Sequence, residues 1–318
     1  MFSVHEKLEN RFHKIVLQDD FSKTSAHIVP SCGGILQSFV VLLNEDPVNV
    51  IDSYDSASDF EKNVTSKGFL GCKLSPFVCR INRGRFHFAE KDYQIKKFYL
   101  GDHALHGLLF DQYFKVVEQR ANEAGAMISM KCEYRKNDPG YPFNYDCTIT
   151  YELQTDNKLN VTTQIENKEE GLIPIQDGWH PYFKLDARID DLLLEFQSRE
   201  MVEFSSDLIP TGNLLRYGKY SSLKRIGDDV LDNCFTLNFA ECQPLCVLRN
   251  PVNKIEIEIT PDPSYSFLQI YTPPHRTSIA IENISSVPDA FNNGIGLKVL
   301  TGGESAMFKT AYKIRLIP

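Results

Sequence analysis

The 318-residue sequence has a single tryptophan, no Cys-x-x-Cys pair and no apolar run near the length of a membrane span. Its longest apolar run, Ser38-Phe39-Val40-Val41-Leu42-Leu43, falls far short of the roughly 20 residues needed to cross a bilayer, so no membrane partner is expected. Positive charge is also scarce. Lys and Arg number 34 against 42 Asp and Glu, for a net charge of −8. Without a basic footprint, nucleic acid drops out as a partner. Glycine-rich phosphate loops are missing: neither G-x-G-x-x-G nor the P-loop pattern occurs, and Asn293-Gly294-Ile295-Gly296 is too short to serve. There is no G-x-S-x-G nucleophile elbow. No linker or low-complexity stretch divides the chain, which reads as one domain over residues 1–318.

Cysteine is present but thin. Cys32, Cys72, Cys79, Cys132, Cys147, Cys234, Cys242 and Cys246 are too few for a disulfide scaffold, and several sit in apolar rows where a free thiol packs as a small hydrophobe. No apolar segment follows Met1 to form a secretion signal. Both features point to a reduced, cytoplasmic protein, in which the N-x-[ST] sequences at Asn63, Asn160 and Asn283 are accidental.

What the sequence does have is alternation. Ile255, Ile257 and Ile259 alternate with Glu256 and Glu258. Ile128, Met130, Cys132 and Tyr134 alternate with Ser129, Lys131 and Glu133. Cys147, Ile149, Tyr151 and Leu153 are followed, across Thr155-Asp156-Asn157, by Leu159, Val161, Thr163 and Ile165. Side chains on a strand point to opposite faces in turn, so these are half-buried antiparallel strands, two of them forming a hairpin. Further strands are expected near Ile35–Leu43, Arg85–Ile95, Gln112–Gln119, Leu192–Phe196, Cys246–Arg249, Ser266–Tyr271, Ser278–Glu282 and Met307–Leu316, with one short helix at Asp59–Ser66. No β–α alternation appears. The expected fold is all-β: a large antiparallel β-sandwich with few short helices, whose broad sheets leave a concave face open as a cleft.

Three histidines stand in unusual company. His103 and His106 lie in Gly101-Asp102-His103-Ala104-Leu105-His106-Gly107, and His180 lies in Gly178-Trp179-His180-Pro181-Tyr182-Phe183 beside the only tryptophan. An imidazole can supply a proton near neutral pH, and aromatic faces suit sugar rings. A hydrogen-bonded core histidine explains His180 equally well at this level. The spacing of His103 and His106 also permits a metal pair, but no cysteine cluster or H-E-x-x-H accompanies it, so no metal is expected. Glu282 closes the apolar run Ile279-Ala280-Ile281; partial desolvation there would strengthen it as a base, while an ordinary rim carboxylate remains the alternative. Asp232 fits a plain turn aspartate.

Together these residues resemble the aldose 1-epimerase (galactose mutarotase-like) family. Cys79-Arg80-Ile81 is similar to that family's asparagine–arginine–isoleucine segment, and Leu105-His106-Gly107 to its leucine–histidine–glycine motif. Pro139-Gly140-Tyr141-Pro142, His180-Pro181-Tyr182-Phe183, Leu231-Asp232-Asn233-Cys234-Phe235, Gln269-Ile270-Tyr271-Thr272 and Glu282 with Pro288-Asp289-Ala290 follow in the family's order. The resemblance implies a β-supersandwich and a cofactor-free isomerase acting on a free aldohexose such as galactose or glucose. Glu282 falls on the family's general base, His180 on its general acid, and His106 on a second histidine at the ring oxygen. Arg80, Asp232 and Gln269 fall on groups that hold sugar hydroxyls. The expected partner is a small monosaccharide, and the chain a monomer or homodimer. Cys79 and His103 stand where asparagine is usual, Pro76 where arginine is, and Leu108 where a second glycine is, which bears on the choice of sugar.

The chemistry implied is ring opening with the base ionised and the acid protonated on opposite edges of the sugar. Three alternatives are weighed. One is a hexose-6-phosphate mutarotase, with Arg83, Arg85, Lys96, Lys97 and Arg276 as candidate phosphate ligands. The others are a non-catalytic carbohydrate-binding protein and a metal-dependent enzyme using His103, His106 and His180.

Overall fold

A computed structural model describes residues 1–241 and 243–317. The segments with the strictest alternation lie side by side. Gly125–Arg135, Asn144–Gln154 and Lys158–Asn167 pair in succession, antiparallel. Ser305–Leu316 joins the last of them, and Ile255–Ile259 joins Ser305–Leu316. The turn at Asp156 (φ 60°) and Asn157 (φ 54°) is left-handed, a conformation short polar side chains tolerate. Among the described residues these strands belong to a nine-stranded sheet. Their inward rows, including Met130, Ile149, Tyr151 and Ile257, are fully buried or nearly so. Each such side chain contributes about 1.5–3 kcal/mol through removal from water.

A second nine-stranded sheet runs through Glu200–Phe204, Asp232–Thr236, Phe267–Tyr271, Ile279–Ile284, Gly178–Trp179 and Lys73–Leu74, with Tyr182–Phe183 and Ile51–Asp52 alongside. A five-stranded sheet is built from the N-terminal strands Phe2–Glu9 to Asp46–Asn49. One hydrophobic core reaches from Phe2 to Ile314 and takes side chains from all three sheets. The protein is therefore an antiparallel all-β sandwich with few helices, as its alternation predicts. No helix among the described residues is long and apolar enough to cross a membrane. The seven described cysteines are free and buried; Cys242 lies outside the described residues.

Several boundaries move. The expected strand Arg85–Ile95 is a hairpin of Arg85–Phe88 and Lys91–Gln94. Its turn places Ala89 (φ 48°) and Glu90 (φ 62°) in the left-handed region without the usual Asn-Gly signal. The helix spans Ala57–Asn63, earlier than expected, because Ser56 caps it by accepting the Asp59 N–H. The strand expected at Gln112–Gln119 runs Lys115–Ala121. Glu282 lies inside its strand, Ile279–Ile284, rather than at its end.

Candidate active site

Strand register gathers the candidate residues of the second sheet. Glu282 pairs with Gln269, and Gln269 pairs with Cys234 on the next strand. Asp232 shares the face of Cys234 two residues away, and its Oδ1 accepts from Gln269 Nε2 at 2.8 Å. His180 follows Gly178–Trp179 and is held by its backbone. Its N–H donates to the Cys72 carbonyl at 3.0 Å, and its carbonyl accepts from Gly71 N–H at 2.8 Å. The His180 ring stacks on Tyr182, centroids 5.1 Å apart.

Arg80 and His106 come from a small sheet in which Arg80–Ile81 pairs with His103–Leu105. His106 N–H donates to the Cys79 carbonyl at 2.8 Å. Both residues are left-handed, Cys79 at φ 46° and His106 at φ 60°. Such strain tends to collect at functional sites. Asp289 braces the segment: its N–H donates to the Arg80 carbonyl at 2.7 Å, and its Oδ1 accepts from Asn82 N–H at 2.9 Å. The His106 ring meets the edge of His180 at 4.8 Å and that of Phe69 at 4.7 Å.

Arg80, His106, His180, Asp232, Gln269 and Glu282 all line one cleft of about 600 Å³. At its base His180 Nε2 lies 3.3 Å from Glu282 Oε1, with both side chains almost fully buried. Glu282 Oε2, His180 Nδ1, His106 Nδ1 and Gln269 Oε1 are buried without hydrogen-bond partners. Buried polar atoms are rarely left so. These four atoms belong to residues that line one cleft.

Burial sets the electrostatics. It pushes the Glu282 carboxyl well above its ordinary value; the neighbouring Asp232 charge adds to this and Arg80 opposes it. Burial lowers His180 to about 4. It drives His106 well below the usual imidazole range, helped by charge on His180 and Arg80. Burial also raises Asp232, against Arg80 and Gln269. Desolvation thus disfavours charge on both partners, the carboxylate of Glu282 and the imidazolium of His180.

His103 does not join the other two histidines. Its Nδ1 accepts from Arg83 N–H at 3.2 Å, and it faces a neighbouring depression with Asp102 and Asp207. Among the described residues no three His, Cys, Asp or Glu side chains gather as a metal cluster. Cys79 does line the cleft, as a thiol that burial and the Glu282 charge hold protonated. Asp52, Phe69, Tyr182 and Tyr271 line it too without having been singled out. Tyr182 and Tyr271 sat inside the motif strings; Asp52 lies on a two-residue strand that leaves no periodic signal.

Behind the cleft, Lys73 and Asp177 form a fully buried ion pair at 2.6 Å. Lys73 Nζ also donates to the Gly178 carbonyl at 3.1 Å and sits 4.4 Å over the Trp179 ring. Tyr265 Oη donates to Asp177 Oδ1 at 2.7 Å. The pair ties the strand before His180 to the one bearing Lys73.

Comparison with known proteins places the chain in a family. The family model for aldose 1-epimerase matches residues 13–313. The chain belongs to that family. The uncharacterized protein YihR of Escherichia coli K12 is 24% identical over 246 residues, 74% of this chain and 76% of its own. A galactose mutarotase-like protein of Clostridium acetobutylicum superposes with a TM-score of 0.88 at 16% identity, covering 99% of each chain. The galactose 1-epimerase of Lactobacillus acidophilus gives 0.79 at 20% identity, over 99% of this chain and 98% of that one. At such identities the structural likeness carries the fold, which is that of the galactose mutarotase-like proteins.

Proposed function

We propose that this aldose 1-epimerase family member interconverts the α and β anomers of a free aldohexose such as galactose or glucose. The observation that carries the reading is the 3.3 Å contact between His180 Nε2 and Glu282 Oε1 at the base of a polar-lined cleft. The hydroxyl that must lose a proton and the ring oxygen that must gain one are both bonded to C1. A base and an acid serving them therefore belong side by side.

In this reading Glu282 starts protonated, and passing its proton to His180 creates the carboxylate and the imidazolium together. Arg80 favours the carboxylate. Glu282 takes the proton of the C1 hydroxyl, His180 gives its proton to the ring oxygen, and the bond from C1 to that oxygen breaks to leave the open aldehyde. Rotation about C1–C2 and reversal of both transfers closes the other anomer. Each positioned group contributes about 10²–10⁴-fold. Arg80, Asp232 and Gln269 hold hydroxyls through hydrogen bonds, some charge-assisted, and neutral His106 lies beside the ring oxygen. No redox centre or phosphate donor enters this balance.

A 6-phosphorylated substrate finds less support. Arg83, Arg85, Lys96, Lys97 and Arg276 are not among the residues lining the cleft. Arg276 is engaged by Asp190 and by the carbonyls of Gly227 and Asp229. The free buried thiols favour a reducing compartment, and we place the protein in the cytoplasm.

The test is polarimetry on freshly dissolved α-glucose and α-galactose against a buffer blank. The wild type should accelerate mutarotation, and Glu282→Gln should lose at least about 100-fold in kcat while retaining sugar binding. Binding without acceleration by the wild type would make the protein a carbohydrate-binding module instead.

A further inference from the structure

The two imidazoles of the cleft are held by other rings. An imidazole's orientation is commonly set by a hydrogen bond at its second nitrogen. Here Nδ1 of His180 and Nδ1 of His106 are both buried without partners. Packing takes that role. The His180 ring lies nearly parallel to Tyr182, at 15° and 5.1 Å, and meets His106 edge-on at 89° and 4.8 Å. His106 in turn rests on Phe69 at 4.7 Å, and Phe69 on Phe110 at 5.2 Å. Tyr182, His180, His106, Phe69 and Phe110 thus form one continuous row, in the stacked and edge-on geometries that aromatic pairs prefer.

One short turn reaches both sides of the histidines. Tyr182 Oη donates to the Gly68 carbonyl at 3.0 Å, Phe69 supplies the ring behind His106, and Gly71 N–H donates to the His180 carbonyl at 2.8 Å. The turn is left-handed at Gly68 (φ 77°), Phe69 (φ 59°) and Gly71 (φ 70°). Glycine adopts this region freely, whereas a bulky side chain does so only under constraint. The constraint on Phe69 is its N–H, which donates to the Val64 carbonyl at 2.8 Å, and its buried ring. At Gly68 a Cβ would fall 2.7 Å from Tyr182 Oη, so the close approach to the tyrosine requires glycine. Backbone strain of this kind collects where geometry matters to function. No residue from 68 to 71 belongs to the motif strings of the sequence.

We propose that the turn Gly68–Gly71 is a positioning device for the catalytic imidazole. Through Phe69 behind His106 and Tyr182 against His180, it fixes the plane of the His180 ring so that Nε2 meets Glu282. Phe69 and Tyr182 act through the histidines, as positioning residues. The kinetic consequence rests on the epimerase reading above; the geometric one does not.

Two measurements on the full-length protein test it: NMR of the labelled histidine rings, and anomer exchange on galactose and glucose with kcat and KM separated. Ring protons stacked on an aromatic face are shielded by its ring current. Tyr182→Leu should therefore move the His180 signals downfield, and Phe69→Leu should move those of His106. Each should lower kcat by about tenfold to 10²-fold with KM changed by less than about twofold. Tyr182→Phe keeps the face and should hold kcat within about threefold of wild type. The proposal is overturned if kcat is unchanged in both leucine variants. It is overturned equally if KM rises as far as kcat falls, since Phe69 and Tyr182 would then be sugar contacts. Should Tyr182→Leu fail to fold, Phe69→Leu decides by the same criteria. A wild type without exchange overturns the epimerase reading alone. The spectra then decide the positioning role, and histidine signals that neither leucine variant moves overturn it.

Discussion

His180 Nε2 and Glu282 Oε1 face each other at 3.3 Å while burial pushes their proton affinities in opposite directions. A pair sharing one proton works only between the pH at which it gains a second and the pH at which it loses the first. The profile of kcat/KM should therefore be bell-shaped. Its acid limb should lie near about 4, where His180 is held. Its alkaline limb should lie well above the ordinary carboxylate range, because Glu282 is raised. Asp232→Asn removes a neighbouring negative charge and should move the alkaline limb to lower pH. Arg80→Gln removes a positive charge and should move it higher. Limb positions are the readout, since both variants also weaken sugar binding. Shifts in the reverse sense would mean that Glu282 does not titrate there.

Gly107→Ala tests the strained segment that carries His106. Gly107 has φ 78°, and a Cβ there would fall 2.4 Å from the Ser75 carbonyl oxygen. The backbone must shift. We expect a loss of about 1–3 kcal/mol in urea unfolding, with a fall in kcat/KM as the His106 ring moves.

The buried ion pair makes an asymmetric prediction. Lys73→Met leaves the Asp177 carboxylate without its cation and should cost about 3–5 kcal/mol. The double variant Lys73→Met/Asp177→Leu removes the stranded charge and should recover most of that loss. Denaturant midpoints of the two variants check it; equal loss in both would show that packing, not charge, dominates.

Away from the cleft, His27 should make the fold acid-sensitive. Burial, then the charges of Lys14 and Lys7, lower it from 6.5 to about 4. The unfolded chain therefore binds more protons than the folded one across that window. Stability should rise with pH between about 4 and 6.5, and fall on acidification. His27→Gln should flatten this slope in thermal melts taken from pH 4 to 7.

Much of the fold could be read in the sequence, because period-2 alternation is a local signal. Ile35–Leu43 and Cys246–Arg249 have the expected ends. The strands Phe2–Glu9 and Phe12–Asp19 escaped, because charged residues such as His5, Lys7 and Lys14 blur their two faces. Lys14 is in fact buried, paired with Glu9 at 2.7 Å. Lys73 escaped for a related reason. A charge on a strand reads as solvated, and only the fold supplies the distant Asp177 that satisfies it. The six site candidates were found through motif resemblance, and the structure brings all six to one cleft. What motif strings could not show was distance. Only the fold shows that His180 Nε2 and Glu282 Oε1 lie 3.3 Å apart.

The main chain at His180 and His106 is held by backbone hydrogen bonds to Cys72, Gly71 and Cys79. The scaffold thus separates the placement of its reactive groups from the identity of the residues that place them. A substitution at Cys79, whose side chain lines the cleft, can retune which ligand is welcome while the backbone bond to His106 remains, which makes this corner a natural place for new preferences to arise.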